Sequence, residues 1–266
     1  MGAGEEKTTN DAITIRHCTT LEEYRQCVAL QKSVWGWDDE DLIPTRFFAV
    51  ARKIEGQVIG AFDSSGDSSG DASTKLVGFC LAVPGFHGPA RYLHSHMLAV
   101  LPEYRDAGVG RRLKLEQRTD AMARGLELVE WTFDPLELKN AYFNIERLGA
   151  IVRRYIPNKY GRTTSPLHGG LPTDRLVAEW WLKTPRVEAV VRGGAVPHAP
   201  GSRRIAVPAA IAQLKSSNRA TAERVQTEVR GQFQKLFAAG YAVTGFEATK
   251  DAGTYLLEPA PAGIPP

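Results

Sequence analysis

The segment from Leu93 to Leu113 constrains the fold of this chain more than any other. Apolar residues dominate from Leu93 to Leu101 and recur every second position, which is typical of a β-strand. Pro102 ends this strand, and a loop with glycines at positions 108 and 110 leads into an amphipathic stretch from Leu113 to Arg124. The sequence therefore predicts a strand, a glycine loop and a helix in succession.

The predicted strand carries two histidines. Its two-residue alternation predicts one face made of His94, His96, Leu98 and Val100, and an opposite face made of Ser95, Met97 and Ala99. An imidazole with a pKa near ~6.5 can remove a proton from an amine, either directly or through one water. Two alternatives are core histidines and a metal site, although no third ligand stands at a supporting spacing nearby. We therefore predict a catalytic histidine pair and no metal.

The predicted helix begins without a Ser, Thr, Asp or Asn cap beside it, so its first N–H groups need another acceptor. Gly108 and Gly110 would let an anion approach the backbone, and helix N-termini attract phosphate. Arg111 and Arg112 are unfavourable in a first helical turn unless an anion compensates them. The alternative is a tight strand-to-helix turn with solvated arginines. The pattern favours a phosphate-bearing ligand.

The spacing matches neither the dinucleotide fingerprint nor the P-loop. Instead, Arg105-x-x-Gly108-x-Gly110 after a strand ending Leu-Ala-Val resembles the acetyl-CoA pyrophosphate loop of the GCN5-related N-acetyltransferase (GNAT) superfamily. The resemblance implies acetyl-CoA as cosubstrate. It also implies a set of cofactor-binding residues in this segment: Leu98, Val100, Arg105, Asp106, Ala107, Gly108, Val109, Gly110 and Arg111.

Two further motifs resemble narrower groups. The strand sequence His94-x-His96-Met-Leu-Ala-Val is similar to the arylalkylamine N-acetyltransferases, in which two histidines help remove the amine proton. Residues 131–136, 140–144 and 148–150 resemble bacterial GNAT acetyltransferases of unknown substrate. These resemblances imply transfer of an acetyl group to a primary amine of a small molecule or amino acid. Because no candidate nucleophile with a base beside it is visible, we expect direct transfer in a ternary complex.

The acid that protonates the leaving thiolate is less well defined. Many family members place a tyrosine four residues before the glycine that ends the later helix, but here that position is Ile145. Tyr142 lies one helical turn earlier and is predicted to substitute, the alternative being a core residue. Asn140 is predicted to bind the pantetheine arm. The missing tyrosine keeps open a catalytically silent acyl-CoA sensor, and a longer acyl donor is a further alternative.

The order of elements matches the α/β (α+β) GNAT fold, with a mixed, mostly antiparallel central sheet flanked by helices. Thr20 and Glu23 form a capping box that begins the first helix, and Gly149 ends a later helix that starts near Leu138. The remaining strands are predicted at Ile13–Cys18, Phe47–Arg52, Gln57–Phe62, Lys75–Val83, Leu126–Phe133 and Leu176–Leu182.

We predict a flexible N-terminus over residues 1–12 and an acyltransferase domain over 13–183, with a flexible hairpin tip from Asp63 to Thr74. A connection follows over 184–203, and a β-α-β-β subdomain over 204–260 packs on the first domain. Its predicted elements are Ile205–Val207, Ala209–Ala239, Tyr241–Glu247 and Thr254–Leu257, before a tail at 261–266.

Composition narrows the class of protein. A chain of 266 residues with 43% hydrophobic content can bury a large core. Cys18, Cys27 and Cys80 show neither disulfide nor zinc spacing, so we expect a reducing, cytoplasmic compartment and a buried structural thiol at Cys80. A net charge of +3 does not favour nucleic acid, and no apolar run predicts a membrane span or signal peptide.

The expected partner is a small-molecule amine, and a homodimer is left open. Trp35, Trp37 and Phe47 would wall an acceptor pocket, unless they are ordinary core. The arginine pairs at 153–154 and 203–204 are expected to be solvated or near the 3′-phosphate of CoA.

Overall fold

A computed structural model describes residues 12–65, 74–161 and 169–265 of the chain. The predicted flexible N-terminus therefore lies, apart from Ala12, outside the described residues, as does most of the hairpin tip between Asp63 and Thr74. Two compact units can be distinguished, Met1–Val129 and Glu130–Pro266, and each is described by itself. The predicted subdivision into 13–183 and 204–260 stays a prediction.

The first unit contains four antiparallel strands in the order β1-β2-β3-β4. Its strands are β1 (Ile13–His17), β2 (Gln57–Asp63), β3 (Lys75–His87) and β4 (Ala90–Val100). Its helices are α1 (Leu21–Trp35), α2 (Thr45–Lys53) and α3 (Val109–Ala123), with short 3-10 turns at Asp39–Asp41 and Pro102–Tyr104. The predicted order of a strand, a glycine loop and a helix is confirmed.

Helix α1 begins at the capping box that the sequence predicted and ends at a glycine. The Thr20 side chain accepts a hydrogen bond from the Glu23 backbone, and the Glu23 carboxylate accepts one from the Thr20 backbone. Gly36 follows the last turn with a φ of 61°, the left-handed conformation that glycine adopts most easily. Local capping chemistry therefore fixes both ends.

Helix α2 corrects a prediction, because Phe47–Arg52 was expected to be a strand. The segment is helical from Thr45 to Lys53, with Phe48 and Ala51 buried one turn apart. The run was too short for its apolar residues to distinguish a period of two from a period of 3.6. Tertiary packing of Phe48, which lies 5.7 Å from Phe79 between ring centroids, decides the outcome.

Two apolar clusters lie on opposite faces of the first sheet. One joins α1 and α2 to residues that include Phe79, Leu81, Met97 and Ala99. The other joins the start of α3 to a second set: Ile13, Ile59, Ala61, Val77, Cys80, Val109 and Leu113, with Leu98 and Val100 packed against it. Strand β4 therefore separates the side of α3 from the side of α1 and α2.

The second unit contains a sheet in the order β5-β7-β6-β9-β10-β8. Its strands are β5 (Leu128–Phe133), which starts in the last residues of the first unit, β6 (Ile151–Ile156), β7 (Arg175–Trp181), β8 (Arg203–Pro208), β9 (Tyr241–Ala248) and β10 (Ala252–Pro259). Its helices are α4 (Leu138–Tyr142), α5 (Pro185–Val191), α6 (Ile211–Ser217) and α7 (Arg219–Ala238), and a π-helical turn spans Phe143–Arg147. The mixed, mostly antiparallel sheet flanked by helices is the fold class that the sequence predicted.

Two elements of the second unit were missed. Strand β6 was not predicted, because Arg153 and Arg154 lie at its centre. Helix α5 lies within the predicted connection, although Thr184 caps it by accepting a hydrogen bond from Val187 N and Pro185 occupies its first turn. That Thr-Pro pair is a helix-start signal that would have identified α5.

Arg153 is mostly covered and not the solvated side chain that was expected, whereas Arg154 is exposed as expected but is also paired. Arg153 Nη2 lies 2.7 Å from the Glu179 carboxylate on β7, and Arg154 pairs with Glu130 on β5. Both carboxylates are buried, so these arginines neutralise charges inside the second unit. None of the helices in the described parts of the chain is long and apolar enough to cross a membrane.

Candidate functional site

The N-terminus of α3 follows the β4–α3 loop directly, at Gly108. Gly108 occupies the cap position and no side chain of the described residues caps the helix there. The first main-chain bond within the helix runs from Arg112 N to Gly108 O, at 3.0 Å. The amides of Val109, Gly110 and Arg111 precede it at the positive end of the helix dipole. This is the geometry that binds phosphate oxygens through backbone N–H groups.

The backbone conformation favours a glycine at position 108 but not at position 110. Gly108 has a φ of 79°, so a side chain there would be strained by the backbone conformation. Gly110 has no such conformation, and a Cβ on it would meet nothing closer than Val100 Cγ2 at 3.8 Å and Leu98 Cδ2 at 3.9 Å. The fold of the first unit therefore tolerates an alanine at 110. The structure brings together Leu98, Val100 and Gly110, three residues of the predicted cofactor-binding set, whose role in binding stays a prediction.

Two side-chain hydrogen bonds are among the contacts that anchor the loop between β4 and α3. Arg105 Nε donates to the carbonyl of Val100 at 3.2 Å, and the Tyr104 hydroxyl donates to Asp63 at 2.6 Å. Burial raises the pKa of Asp63, but hydrogen bonds from Tyr104 and Ser65 outweigh it and lower that pKa overall. The carboxylate therefore stays ionised and holds the loop at neutral pH.

The residues predicted to bind the cofactor differ in how far their side chains are exposed to solvent. Arg105, Asp106, Ala107 and Gly108 are exposed, so the loop is accessible. Val109 is 1% exposed and packs in the core under α3, which leaves only its backbone amide for a ligand. Outside that set, the Arg112 guanidinium donates to the Ile13 carbonyl at 2.6 Å, so part of its role is to hold β1.

A bulge in β4 overturns the predicted alternation of the histidine strand. Leu81 pairs with Met97 but Ala82 pairs with Ser95, so His96 is an extra residue on β4. Ser95 consequently lies on the side of α3, where its hydroxyl accepts a hydrogen bond from Lys114, and not on the side of Met97. His94 pairs with Val83, which packs against the α1 and α2 cluster, so His94 shares that face and not the face of Leu98 and Val100.

The two histidines nevertheless remain close together. The ring centroids of His94 and His96 are 6.2 Å apart, with the rings tilted by 41°. His94 is partly buried and His96 is exposed. The pair therefore lies near the bulge with at least one ring accessible to solvent, which is the requirement for proton transfer through water.

Sequence reasoning missed a buried lysine behind this strand. Lys114 on α3 is 2% exposed, and its ammonium donates to Ser95 Oγ at 3.1 Å and to Gln117 Oε1 at 2.6 Å. Burial lowers the pKa of Lys114 to about 7. The only sequence signal was its position on the apolar stripe of α3, between Leu113 and Gln117.

Two predicted site residues and the isoleucine at the expected tyrosine position belong to the second unit. Asn140 is exposed and Tyr142 is 43% exposed, so the alternative of a core tyrosine is wrong. Ile145, at the position where a tyrosine was expected, is fully buried inside the π-helical turn. A π-helical turn shifts which side chains share a face, so a spacing of four residues no longer marks the equivalent position.

The three cysteines are buried in the fold. Burial raises the pKa of the Cys80 thiol to about 12, which confirms it as a buried structural cysteine. Cys18 and Cys27 are also buried and carry no disulfide. Within the described ranges, no cluster of three or more His, Cys, Asp or Glu residues is arranged to hold a metal ion.

Comparisons with known proteins agree with this geometry. Residues 19–149 match the model of the acetyltransferase (GNAT) family. No curated protein sequence matches the chain significantly.

Solved structures share the fold at low sequence identity. The ribosomal-protein-S18-alanine N-acetyltransferase from Escherichia coli is 15% identical, with a TM-score of 0.50 over 65% of this chain and 95% of that one. NAA60 from Arabidopsis thaliana, in complex with a bisubstrate analogue, is 15% identical, with a TM-score of 0.51 over 64% of this chain and 97% of that one. Residues 19–149 therefore form an acetyltransferase domain of the GNAT family, whose enzymes take their acetyl group from acetyl-CoA.

Proposed function

We propose that this enzyme transfers an acetyl group from acetyl-CoA to a primary amine of a small molecule or amino acid, directly and in a ternary complex. The observation that carries the proposal is the open N-terminus of α3, with Gly110 beside Val100 and no reason within the fold for a glycine there. A pyrophosphate that approaches the backbone closely supplies that reason.

In this proposal the loop from Arg105 to Arg111 holds the pyrophosphate of CoA. The backbone amides of Val109 and Gly110 donate to phosphate oxygens, and the Arg105 and Arg111 side chains add positive charge. The backbone near Leu98 and Val100 positions the pantetheine arm and stabilises the oxyanion that develops on the thioester. Asn140 is a second contact for that arm, assigned from the family resemblance.

The histidines act on the acceptor. An ammonium group with a pKa near ~10.4 is mostly protonated at neutral pH and must lose a proton before it attacks. His94 or His96 takes that proton through water, the amine nitrogen bonds to the thioester carbon, and the carbon–sulfur bond breaks. The thiolate then receives a proton, for which Tyr142 is the proposed donor, and the second proton that the nitrogen loses on becoming an amide balances the one that Tyr142 gives up. The similarity of the histidine strand to arylalkylamine N-acetyltransferases is part of the proposal.

The acceptor side of the proposal lies on α1 and α2. Trp35 and Trp37 stack with ring centroids 4.6 Å apart and pack against the same apolar cluster as Met97. On α2, Phe47 and Val50 are large apolar side chains that remain exposed one turn apart. These aromatic and aliphatic groups favour an acceptor with an apolar body. Three buried thiols favour a reducing, cytoplasmic compartment.

Thiol release from acetyl-CoA with a pooled library of amines tests the proposal. We expect turnover by the wild type, and loss of turnover with retained acetyl-CoA binding in the double variant His94→Ala/His96→Ala. His87→Ala is the matched control, because His87 lies at the tip of the same hairpin and stacks on Tyr92 with centroids 4.3 Å apart. Equal losses in both variants would contradict the assigned role.

A second candidate function is an acyl-CoA sensor without turnover. The observation that favours it is that Ile145, at the spacing where the family resemblance expects the acid, is apolar and buried and supplies no proton. Tight binding of acetyl-CoA with no thiol release on any amine, at pH 7 or pH 8.5, would support the sensor and reject the enzyme.

A further inference from the structure

A buried polar cluster joins α3 to the histidine strand. The Lys114 ammonium donates to Ser95 on β4 and to Gln117 one turn along α3, and the Gln117 amide lies 3.9 Å from Cys80 Sγ on β3. All four residues are buried. Removing an ammonium group from water is strongly unfavourable, and its burial is reflected in the lowered pKa of Lys114. An apolar residue at this position of α3 would pack without that cost, so the lysine needs a reason beyond stability.

The position of the buried polar cluster gives a reason for the buried lysine. Lys114 lies in the second turn of the helix whose first turn presents the amides of Val109, Gly110 and Arg111. Ser95 lies between His94 and His96, next to the extra residue of the β4 bulge. The hydrogen bond of 3.1 Å between them therefore links the proposed acetyl-CoA helix to the proposed proton acceptors within the first unit.

The hydrogen bond between Lys114 and Ser95 affects the histidines because it lies beside the β4 bulge. An extra residue disrupts the ladder locally, so its conformation depends on neighbouring contacts more than that of a paired residue. His96 is that extra residue, and the Ser95 side chain beside it accepts a hydrogen bond from the Lys114 amino group on α3. A shift of the Ser95 backbone would reorient both histidines, and displacements of about 1 Å can reduce rates by about 100-fold.

We propose that Lys114 is a positioning residue, which holds Ser95 and thereby fixes the β4 bulge so that His94 and His96 face the reacting amine. This role rests on the proposed function, since it acts through the histidines. Lys114 itself contacts neither substrate in this account.

A double-mutant cycle tests the proposal in the full-length enzyme. Ser95→Ala and Lys114→Met each lower kcat about tenfold or more, while the KM for acetyl-CoA stays within about twofold, because the first turn of α3 is intact. The double variant is no slower than the slower single variant, because both changes remove one link. Thr119→Ala is the control: Thr119 is exposed on the same helix, its hydroxyl donates to Leu115 O, and we expect unchanged kinetics.

Independent, additive losses in the cycle would overturn the proposal, as would a raised KM for acetyl-CoA with unchanged kcat. The small change at Ser95 keeps the test valid if Lys114→Met folds poorly. Imidazole NMR signals provide a readout that does not need turnover: Ser95→Ala should shift those of His94 and His96 and leave that of His87 in place. Unmoved His94 and His96 signals would reject the positioning role, whereas shifted signals without wild-type turnover would reject the proposed function alone.

Discussion

Gly110 faces Val100 at the start of α3, where a Cβ on the glycine would lie 3.8 Å from Val100 Cγ2 in ordinary van der Waals contact. A glycine in a helix lowers stability relative to alanine, because it loses more backbone entropy on folding. This position therefore carries a residue that the fold does not require. The proposed close approach of a pyrophosphate to the backbone would explain why position 110 is a glycine.

We expect Gly110→Ala to separate stability from binding. The free energy of unfolding should stay the same or rise by up to about 1 kcal/mol, while the Kd for acetyl-CoA rises at least about tenfold. Gly231→Ala is the matched control, since Gly231 is an exposed glycine within α7 with open space around it. It should stabilise similarly without changing the Kd. Calorimetric titration and thermal unfolding measure both quantities, and equal effects of the two variants on acetyl-CoA binding would contradict the site.

Lys114 should make stability depend on pH in the alkaline range. Its folded pKa is about 7, below the ordinary value of 10.5, so between these values the native state binds fewer protons than the unfolded state. The free energy of unfolding therefore rises with pH in this window, by up to about 1.4 kcal/mol per pH unit from this group. Lys114→Met removes that contribution.

Urea unfolding of both proteins from pH 6.5 to pH 9.5 checks this prediction. The difference between Lys114→Met and wild type should be largest at the acid end and shrink as pH rises. Lys53→Met, at an exposed position that ends α2, should run parallel to wild type. Parallel curves for Lys114→Met would mean that the lysine is not buried as described.

The folding of the second unit should depend on one buried carboxylate. Asp174 is fully buried and accepts hydrogen bonds from Arg230 Nε at 2.8 Å, from Tyr155 at 2.6 Å and from Asn158 N at 2.9 Å. Arg230→Met leaves this charge without its counter-ion, so we expect a loss of about 3 kcal/mol. Arg224→Met, at an exposed position on the same helix, should have little effect.

A second substitution distinguishes charge from packing at this site. Asp174→Asn together with Arg230→Met removes both charges, so the double variant should lose less stability than Arg230→Met alone. If the double variant is the less stable of the two, the loss comes from packing of the arginine stem and the electrostatic account of Asp174 is wrong.

The sequence predicted the elements whose signals are local. Thr20 and Gly36 mark the ends of α1, and the glycine loop marks the start of α3, because caps and positive φ values are properties of single residues. Strand β6 was missed because Arg153 looks solvent-facing until its partner Glu179, distant in sequence, is known.

Departures from regular periodicity limited the site prediction in the same way. The bulge at His96 moves Ser95 to the side of α3. The π-helical turn at Phe143–Arg147 means that position 145 is no longer equivalent to the position four residues before the glycine in a regular helix. An extra residue in a strand or a helical turn leaves no mark in the pattern of apolar residues. The buried Lys114 was missed for a related reason, since lysine is almost never fully buried and sequence alone places it in water.

If the N-terminus of α3 holds the pyrophosphate of acetyl-CoA, as proposed, the amide NMR signals of this segment must respond to the ligand. On titration with acetyl-CoA, the amide signals of Gly108 and Gly110 should shift and saturate together, while that of Gly231 stays in place. Saturable binding that leaves both loop glycines unmoved, or no binding of acetyl-CoA at all, would contradict the account.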